Sequence, residues 1–178
     1  PSFVSVIGAE IKKSTTEQLK IPDIPDVTVP SIDKTYNIVV TGIGGTGVVT
    51  IGALLGMASH IEGKGAGVME MAGLAQKGGA VHIHCRIAES PEDISVVRVA
   101  SGEAHTLIGG DLLVTAGDKT LSLLRRDRSK VVCNEMEAIT GEFTRDTEFS
   151  LPSDGMKLAL NANCLLYTSD AADDSRSV

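Results

Sequence analysis

Two glycine-rich segments hold the residues that could do chemistry. The first is Gly42-Ile43-Gly44-Gly45-Thr46-Gly47, in which Gly42, Gly44 and Gly47 satisfy G-x-G-x-x-G. Such a turn, set between a strand and a helix, lets a ligand approach the backbone amides. The helix N-terminus then presents unpaired N–H groups and a positive dipole to an anion. The same pattern also serves as a tight turn with no ligand. The second segment is Gly73-Leu74-Ala75-Gln76-Lys77-Gly78-Gly79. Here Lys77 offers a cation, Gln76 a donor and an acceptor, and Gly78 and Gly79 open backbone amides. Alone, a polar loop of this kind reads first as solvated surface.

Other groups are less well placed. Glu70 lies 28 residues after Gly42, where a dinucleotide fold would put the acid that grips a ribose, although the usual offset is about 20. His82 and His84 are two apart on one strand and share a face. No third ligand stands at recognisable metal spacing, and a half-buried or interface pair is the simpler reading. Cys85 points to the opposite face, and Cys133 reads as a buried strand thiol. Arg125, Arg126 and Arg128 read as a solvated helix end. The residue order contains no Ser–His–Asp or Cys–His arrangement, so neither a catalytic residue nor a metal ligand is assigned.

The elements that would position the glycine loops follow from periodicity. Asn37–Thr41 is a β-branched run suited to a buried parallel strand. Val48, Ile51, Leu54, Leu55 and Ala58 recur at 3- and 4-residue spacing and predict one face of a helix ending near His60. Further strands are predicted at 66–71, 80–87, 94–99, 112–116 and 130–134. A helical turn is expected over 103–108 and a helix over 119–126, where Arg125 and Arg126 suit the C-terminal dipole. Alternating strands and helices predict an α/β fold: a Rossmann-like, mostly parallel sheet with helices on both faces and right-handed crossovers. Loops leaving strand C-termini share one edge of such a sheet. The loops at Gly42 and Gln76–Lys77 are therefore expected to open on the same side, converging on an anion-friendly hollow or packing on each other.

Composition narrows the function classes. The 178 residues carry 16 basic and 23 acidic side chains, a net charge of −7. A chain with that balance and no basic run is poorly suited to nucleic acid or an anionic membrane. Aromatics are 3% and Trp is absent, which removes stacking platforms. No apolar run reaches 18 residues, so no membrane span is expected. The three cysteines show no CxxC spacing, and the cytoplasm is the default compartment.

The ends read differently from the middle. Residues 1–36 read as a connector, with Pro22, Pro25 and Pro30 favouring extended chain. The first residue is Pro1 rather than Met, which suggests a cut end. Cys164-Leu165-Leu166-Tyr167-Thr168-Ser169-Asp170-Ala171-Ala172-Asp173-Asp174 resembles the read-through translation of a transposase adapter from DNA sequencing libraries. Residues 164–178 are therefore expected to be a non-native tail, with the sheet truncated at its C-terminus and a domain covering 37–163.

The segments Ile38-Val39-Val40-Thr41-Gly42-Ile43-Gly44-Gly45-Thr46-Gly47-Val48-Val49-Thr50, Glu62-Gly63-Lys64-Gly65 and Gly73-Leu74-Ala75-Gln76-Lys77-Gly78-Gly79-Ala80-Val81 resemble the γ-type domain of 2-oxoacid:ferredoxin oxidoreductases. The likeness is strongest to the long fused enzymes called indolepyruvate:ferredoxin oxidoreductase. Ala100–Ala104, Val131–Asn134 and Thr140–Arg145 fit as well, and Pro1–Val4 resembles the end of a thiamine-diphosphate half. The resemblance implies oxidative decarboxylation of an aryl or branched 2-oxoacid. Thiamine diphosphate with Mg2+, 4Fe-4S clusters, ferredoxin as acceptor and coenzyme A as acyl acceptor are implied with it. It also implies thiamine-diphosphate and iron–sulfur domains as partners in a homo-oligomer. This chain carries neither a cysteine-rich ferredoxin motif nor a thiamine-diphosphate motif. It is therefore expected to be an incomplete γ domain, inactive alone. Gly42, Gly44, Gly45, Thr46, Gly47, Gln76, Lys77, Gly78 and Gly79 are its candidate cofactor-binding residues, whether toward coenzyme A, another phosphate or only protein. Two rivals stand beside this reading. One is an NAD(P)-binding dehydrogenase half using Glu70, and the other is a non-catalytic assembly domain.

Overall fold

A computed structural model describes residues 31–32, 34–72, 78–135 and 152–168, the last four of these by their backbone. The chain divides into two units, Pro1–Ser31 and Ile32–Val178. The connector expected over residues 1–36 lies almost wholly outside the described residues.

The second unit is built on a six-stranded sheet. In chain order its elements are β1 (Tyr36–Ile43), α1 (Val48–Ile61), β2 (Gly65–Ala72), β3 (Ala80–Ala88), β4 (Thr106–Gly109), α2 (Leu112–Thr115), α3 (Asp118–Leu121), β5 (Lys130–Cys133), α4 (Ser153–Asn163) and β6 (Leu165–Thr168). The strand order is β2-β3-β1-β4-β5-β6. β1, β4, β5 and β6 run parallel. β3 runs antiparallel to both of its neighbours, with Ile43 opposite Ala80 on β1 and Ala72 opposite Val81 on β2. The α/β class with helices on both faces is as the sequence predicts. The detail differs at β2, which joins β3 as a hairpin at the sheet edge and does not return beside β1.

β1 is the central strand, and its alternation serves two cores. Ile38 and Val40 face α1 together with Val48, Val81, Ile83 and Cys85. Val39 faces the other side with Leu107, Leu112, Leu124, Val131 and Leu160. Alternate side chains of one strand point to opposite faces, so both cores need β1. Its pairing with β4 is fixed by a clasp outside the ladder. Asn37 N–H donates to His105 Nδ1 at 2.9 Å, Asn37 Nδ2 donates to Glu103 O at 2.9 Å, and His105 N–H donates to Asn37 O at 2.9 Å.

Four expectations are corrected here. Residues 94–99 form no strand; a 3-10 turn at Pro91–Asp93 and irregular chain occupy this stretch. The turn expected over 103–108 is β4. The strand expected at 112–116 is helix α2, because Asp111 Oδ1 accepts from Val114 N–H at 2.8 Å and caps it. The helix expected over 119–126 reduces to α3. Apart from these, Leu165–Thr168, part of the segment 164–178 expected to be a non-native tail, lies as β6 parallel to β5.

α1 also differs from its periodicity. Val48, Gly52 and Ser59 are its buried residues, while Leu54 is 63% exposed and Ile51 and Ala58 also face outward. The reason is space. A Cβ on Gly52 would lie 2.5 Å from Ile83 Cγ2, and one on Gly56 would lie 2.8 Å from Val68 Cγ2. Small residues bring the helix close to the sheet and turn its larger apolar residues away from it.

This packing makes a pair of helix glycines respond in opposite directions. Gly52→Ala gains up to ~1 kcal/mol of helix propensity but forces a methyl into the Ile83 side chain, an overpacking worth about 1–3 kcal/mol. Its thermal midpoint should fall. Gly155 of α4 has open space where a Cβ would stand, so Gly155→Ala should leave the midpoint unchanged or raise it.

Candidate functional site

The first glycine loop leaves the C-terminal end of β1 and opens α1. Gly45 and Gly47 adopt φ of +93° and +91°, a region that disfavours any residue with a Cβ. A Cβ on Gly42 would lie 2.5 Å from Val48 Cγ2, so this glycine allows the helix to start directly against the strand end. Gly47 caps α1 without a side-chain bond, and the first turn of the helix has no acid. The first N–H groups of such a helix lack intrahelical partners. Gly44, Gly45, Gly47, Val49 and Thr50 line a shallow hollow of about 310 Å³ there. Thr46 is not free to serve a ligand as a donor, because its Oγ1 donates to Ile43 O at 2.7 Å.

The second loop joins β2 to β3. Gln76 and Lys77 lie outside the described residues, as do residues 73–75. Gly78 has φ of +74°, and Gly79 O accepts from Gly44 N–H at 2.8 Å. The two loops therefore meet through their main chains. β1 and β2 both oppose β3, so they run in the same direction and their C-terminal ends share one edge. The structure thus brings Gly42, Gly44, Gly45, Thr46, Gly47, Gly78 and Gly79 to one edge of the sheet.

The periodicity missed a third contributor at this edge. After β4, Gly110 N–H donates to Thr41 O at 2.8 Å, and Asp111 follows, 3% exposed. Its Oδ2 is buried without a hydrogen-bond partner among the described residues and stands 3.5 Å from where a Cβ on Gly42 would be. Thr41 and Thr115 share a hydroxyl hydrogen bond of 3.0 Å beneath it. β1 connects onward toward one side of the sheet and β4 toward the other, so the β1/β4 boundary is the topological switch point, where open α/β sheets receive ligands. The available signal was Gly109-Gly110-Asp111 ahead of an apolar run, which is an N-cap pattern.

Glu70 is not part of this edge in the way a dinucleotide fold needs. It lies exposed on β2, which β3 separates from β1. In the expected fold the acid-bearing strand would adjoin β1.

His82 and His84 lie on the face of β3 toward α3. His84 is 2% exposed, and its Nδ1 accepts from Val99 N–H at 2.9 Å. Its neutral form therefore carries the proton on Nε2. Thr120 Oγ1 donates its one proton to Val114 O at 2.8 Å, so it accepts from His82 Nε2 at 3.1 Å. Burial, with Lys119 nearby, lowers the pKa of His82. Burial first, then His82, Arg98 and Arg86, lowers that of His84 from 6.5 to about 4. Both rings are neutral at pH 7, and each is tied into the fold by one nitrogen. Among the described residues no three His, Cys, Asp or Glu converge on a metal position.

The pattern of the pyruvate ferredoxin/flavodoxin oxidoreductase family matches residues 37–173, and the chain belongs to that family. Its relatives include an indolepyruvate oxidoreductase subunit IorB of Archaeoglobus fulgidus, 28% identical over 142 residues that cover 74% of this chain and 71% of that protein. The IorB subunit of Thermococcus kodakarensis is 37% identical over 75 residues, 42% of this chain and 36% of that one. Among solved structures, the 2-oxoglutarate:ferredoxin oxidoreductase of Magnetococcus marinus, with 2-oxoglutarate, coenzyme A and succinyl-CoA bound, superposes with a TM-score of 0.53 at 13% identity. That match covers 76% of this chain and 20% of the other, and it concerns the fold.

The depressed pKa of His84 gives a pH dependence with a definite sign. Between pH 6.5 and about 4 the unfolded chain takes up a proton that the folded imidazole refuses. Its contribution is complete above pH 6.5 and is lost as the pH falls toward 4, on the order of 3 kcal/mol in all. The urea midpoint should therefore drop between pH 7 and pH 4. His84→Gln, whose amide oxygen can still accept from Val99 N–H, should drop less over the same range.

Proposed function

We propose that this chain is the γ scaffold of a 2-oxoacid:ferredoxin oxidoreductase that converts an aryl or branched 2-oxoacid, such as indolepyruvate, to an acyl-CoA with ferredoxin as electron acceptor. Family membership supports the reaction class. The observation that carries the scaffold role is the outer face of α1. The helix has no Asp, Glu, Lys or Arg in 14 residues, and Leu54, Met57 and Ile61 lie exposed at 63%, 58% and 77%. Their spacing aligns them along one side of the helix. An apolar stripe of this kind marks a surface that another protein surface covers.

The described residues do not fit a 4Fe-4S cluster or Mg2+. Cys85 faces α1, whereas Cys133 and Cys164 lie in the opposite core, and no third ligand joins any pair. Thiamine diphosphate, Mg2+ and the clusters are therefore assigned to partner domains of the same enzyme. Coenzyme A is the candidate for the glycine edge. The N-terminal turn of α1, which carries no acid, favours its phosphates there. No helix among the described residues is long and apolar enough to cross a membrane.

Three measurements test this reading. The chain alone should show no 2-oxoacid-dependent ferredoxin reduction, and activity would sink the scaffold assignment. Leu54→Glu combined with Met57→Glu should abolish capture of the thiamine-diphosphate half while leaving the circular dichroism spectrum unchanged. In the full enzyme, Lys77→Ala should raise the Michaelis constant for coenzyme A severalfold. If it changes only domain association, the loop is an interface.

A further inference from the structure

A second concavity, of about 580 Å³, lies on the sheet face toward α3. His82, His84, Arg98 and Lys119 contribute its polar wall together with Ser101 and Ser122. Met71, Val96 and Leu123 give it an apolar side. Among the described residues no Asp or Glu lines it, in a chain where acids outnumber bases 23 to 16. Among the described residues Arg98 and Lys119 have no carboxylate partner, whereas Lys64, Arg86, Arg125 and Lys157 each have one. Two cations thus face a cavity whose described lining supplies no counter-charge.

The imidazoles complete the picture. The tie to Val99 N–H fixes the His84 proton on Nε2, so its remaining nitrogen is a hydrogen-bond donor. Hydrogen-bonding to Thr120 leaves His82 with Nδ1 available. The two rings come from one strand, Arg98 from the segment before β4, and Lys119 from α3, so three separate parts of the chain contribute.

We propose that this cavity binds an organic anion, its carboxylate or phosphate held by Lys119, Arg98 and His84 Nε2–H and its apolar body lying against Met71, Val96 and Leu123. The inference does not depend on the scaffold reading, because it uses neither the amides of the glycine loops nor the α1 face. A charged oxyanion close to two cations and an imidazole donor satisfies the electrostatics that the wall leaves unmet. The apolar side favours an anion with a hydrophobic body over a bare inorganic ion.

Titration of the 15N-labelled full chain with benzoate, phenyl phosphate and inorganic phosphate tests it, read by the imidazole signals of His82 and His84 and by the backbone amides. Saturable shifts centred on these rings and on Val99–Ser101 are expected. At least one of the two aromatic anions should bind more tightly than inorganic phosphate. The preferred member of the aromatic pair tells a carboxylate ligand from a phosphate ester. Lys119→Gln and Arg98→Gln change exposed side chains and should leave the amide spectrum folded while each weakens binding about fivefold. Absence of saturation at millimolar concentrations would overturn the proposal. So would shifts confined to residues 44–50, or affinity unchanged in both variants.

Discussion

The structure depends on how closely α1 approaches the sheet. At Gly42, Gly52 and Gly56 a Cβ would lie 2.5, 2.5 and 2.8 Å from the nearest side-chain carbon of its neighbour. Three glycines along one helix and its entry turn therefore set the distance between the helix and strands β1, β3 and β2. That distance decides which helical residues are core. Small residues fill the contact, and the larger Leu54, Met57 and Ile61 are left outside. Close seating also presses the first turn of α1 against the end of β1, where the glycine loop lies next to Gly110 and Asp111. Interior packing, the outer apolar face and the shape of the candidate site thus follow from the same absence of side chains.

Much of the fold was legible in the sequence because several of its strands are β-branched runs. β1, β3 and β5 read directly from Ile38–Val40, Val81–Ile87 and Val131–Val132. Three of the errors have a shared origin in short elements. β4, α2 and α3 are four residues each, too short to show a period, and end chemistry decided them. Asp111 made a helix of Leu112–Thr115 where apolar composition alone suggested a strand. The insertion of β3 between β1 and β2 was not legible at all. Local pattern specifies a strand, while the neighbour it chooses is fixed by contacts far along the chain.

The candidate site shows the same division. The glycine loop after β1 was readable from spacing, and its meeting with the second loop followed from strand direction. Asp111 was hidden because it lies 69 residues from Gly42 in sequence and reaches it only through the β1–β4 pairing. The His82–His84 pair was visible as two residues on one face. The cations opposite them were not, since Arg98 comes from irregular chain and Lys119 from a single helical turn.

The position of β1 also has a consequence for how the chain assembles. Among the strands of this sheet β1 comes first in the chain but sits third across it, between β3 and β4. Tyr36 pairs with Ile87, and Ile38 with Thr106, so both flanks of β1 wait for residues synthesised much later. Closing such long loops is slow compared with local structure, whereas the β2–β3 hairpin and α1 form from nearby segments. During synthesis Ile38, Val39 and Val40 therefore spend a period as an unpaired apolar strand. The central strand that unites the two cores is also the segment in greatest need of protection before the fold exists.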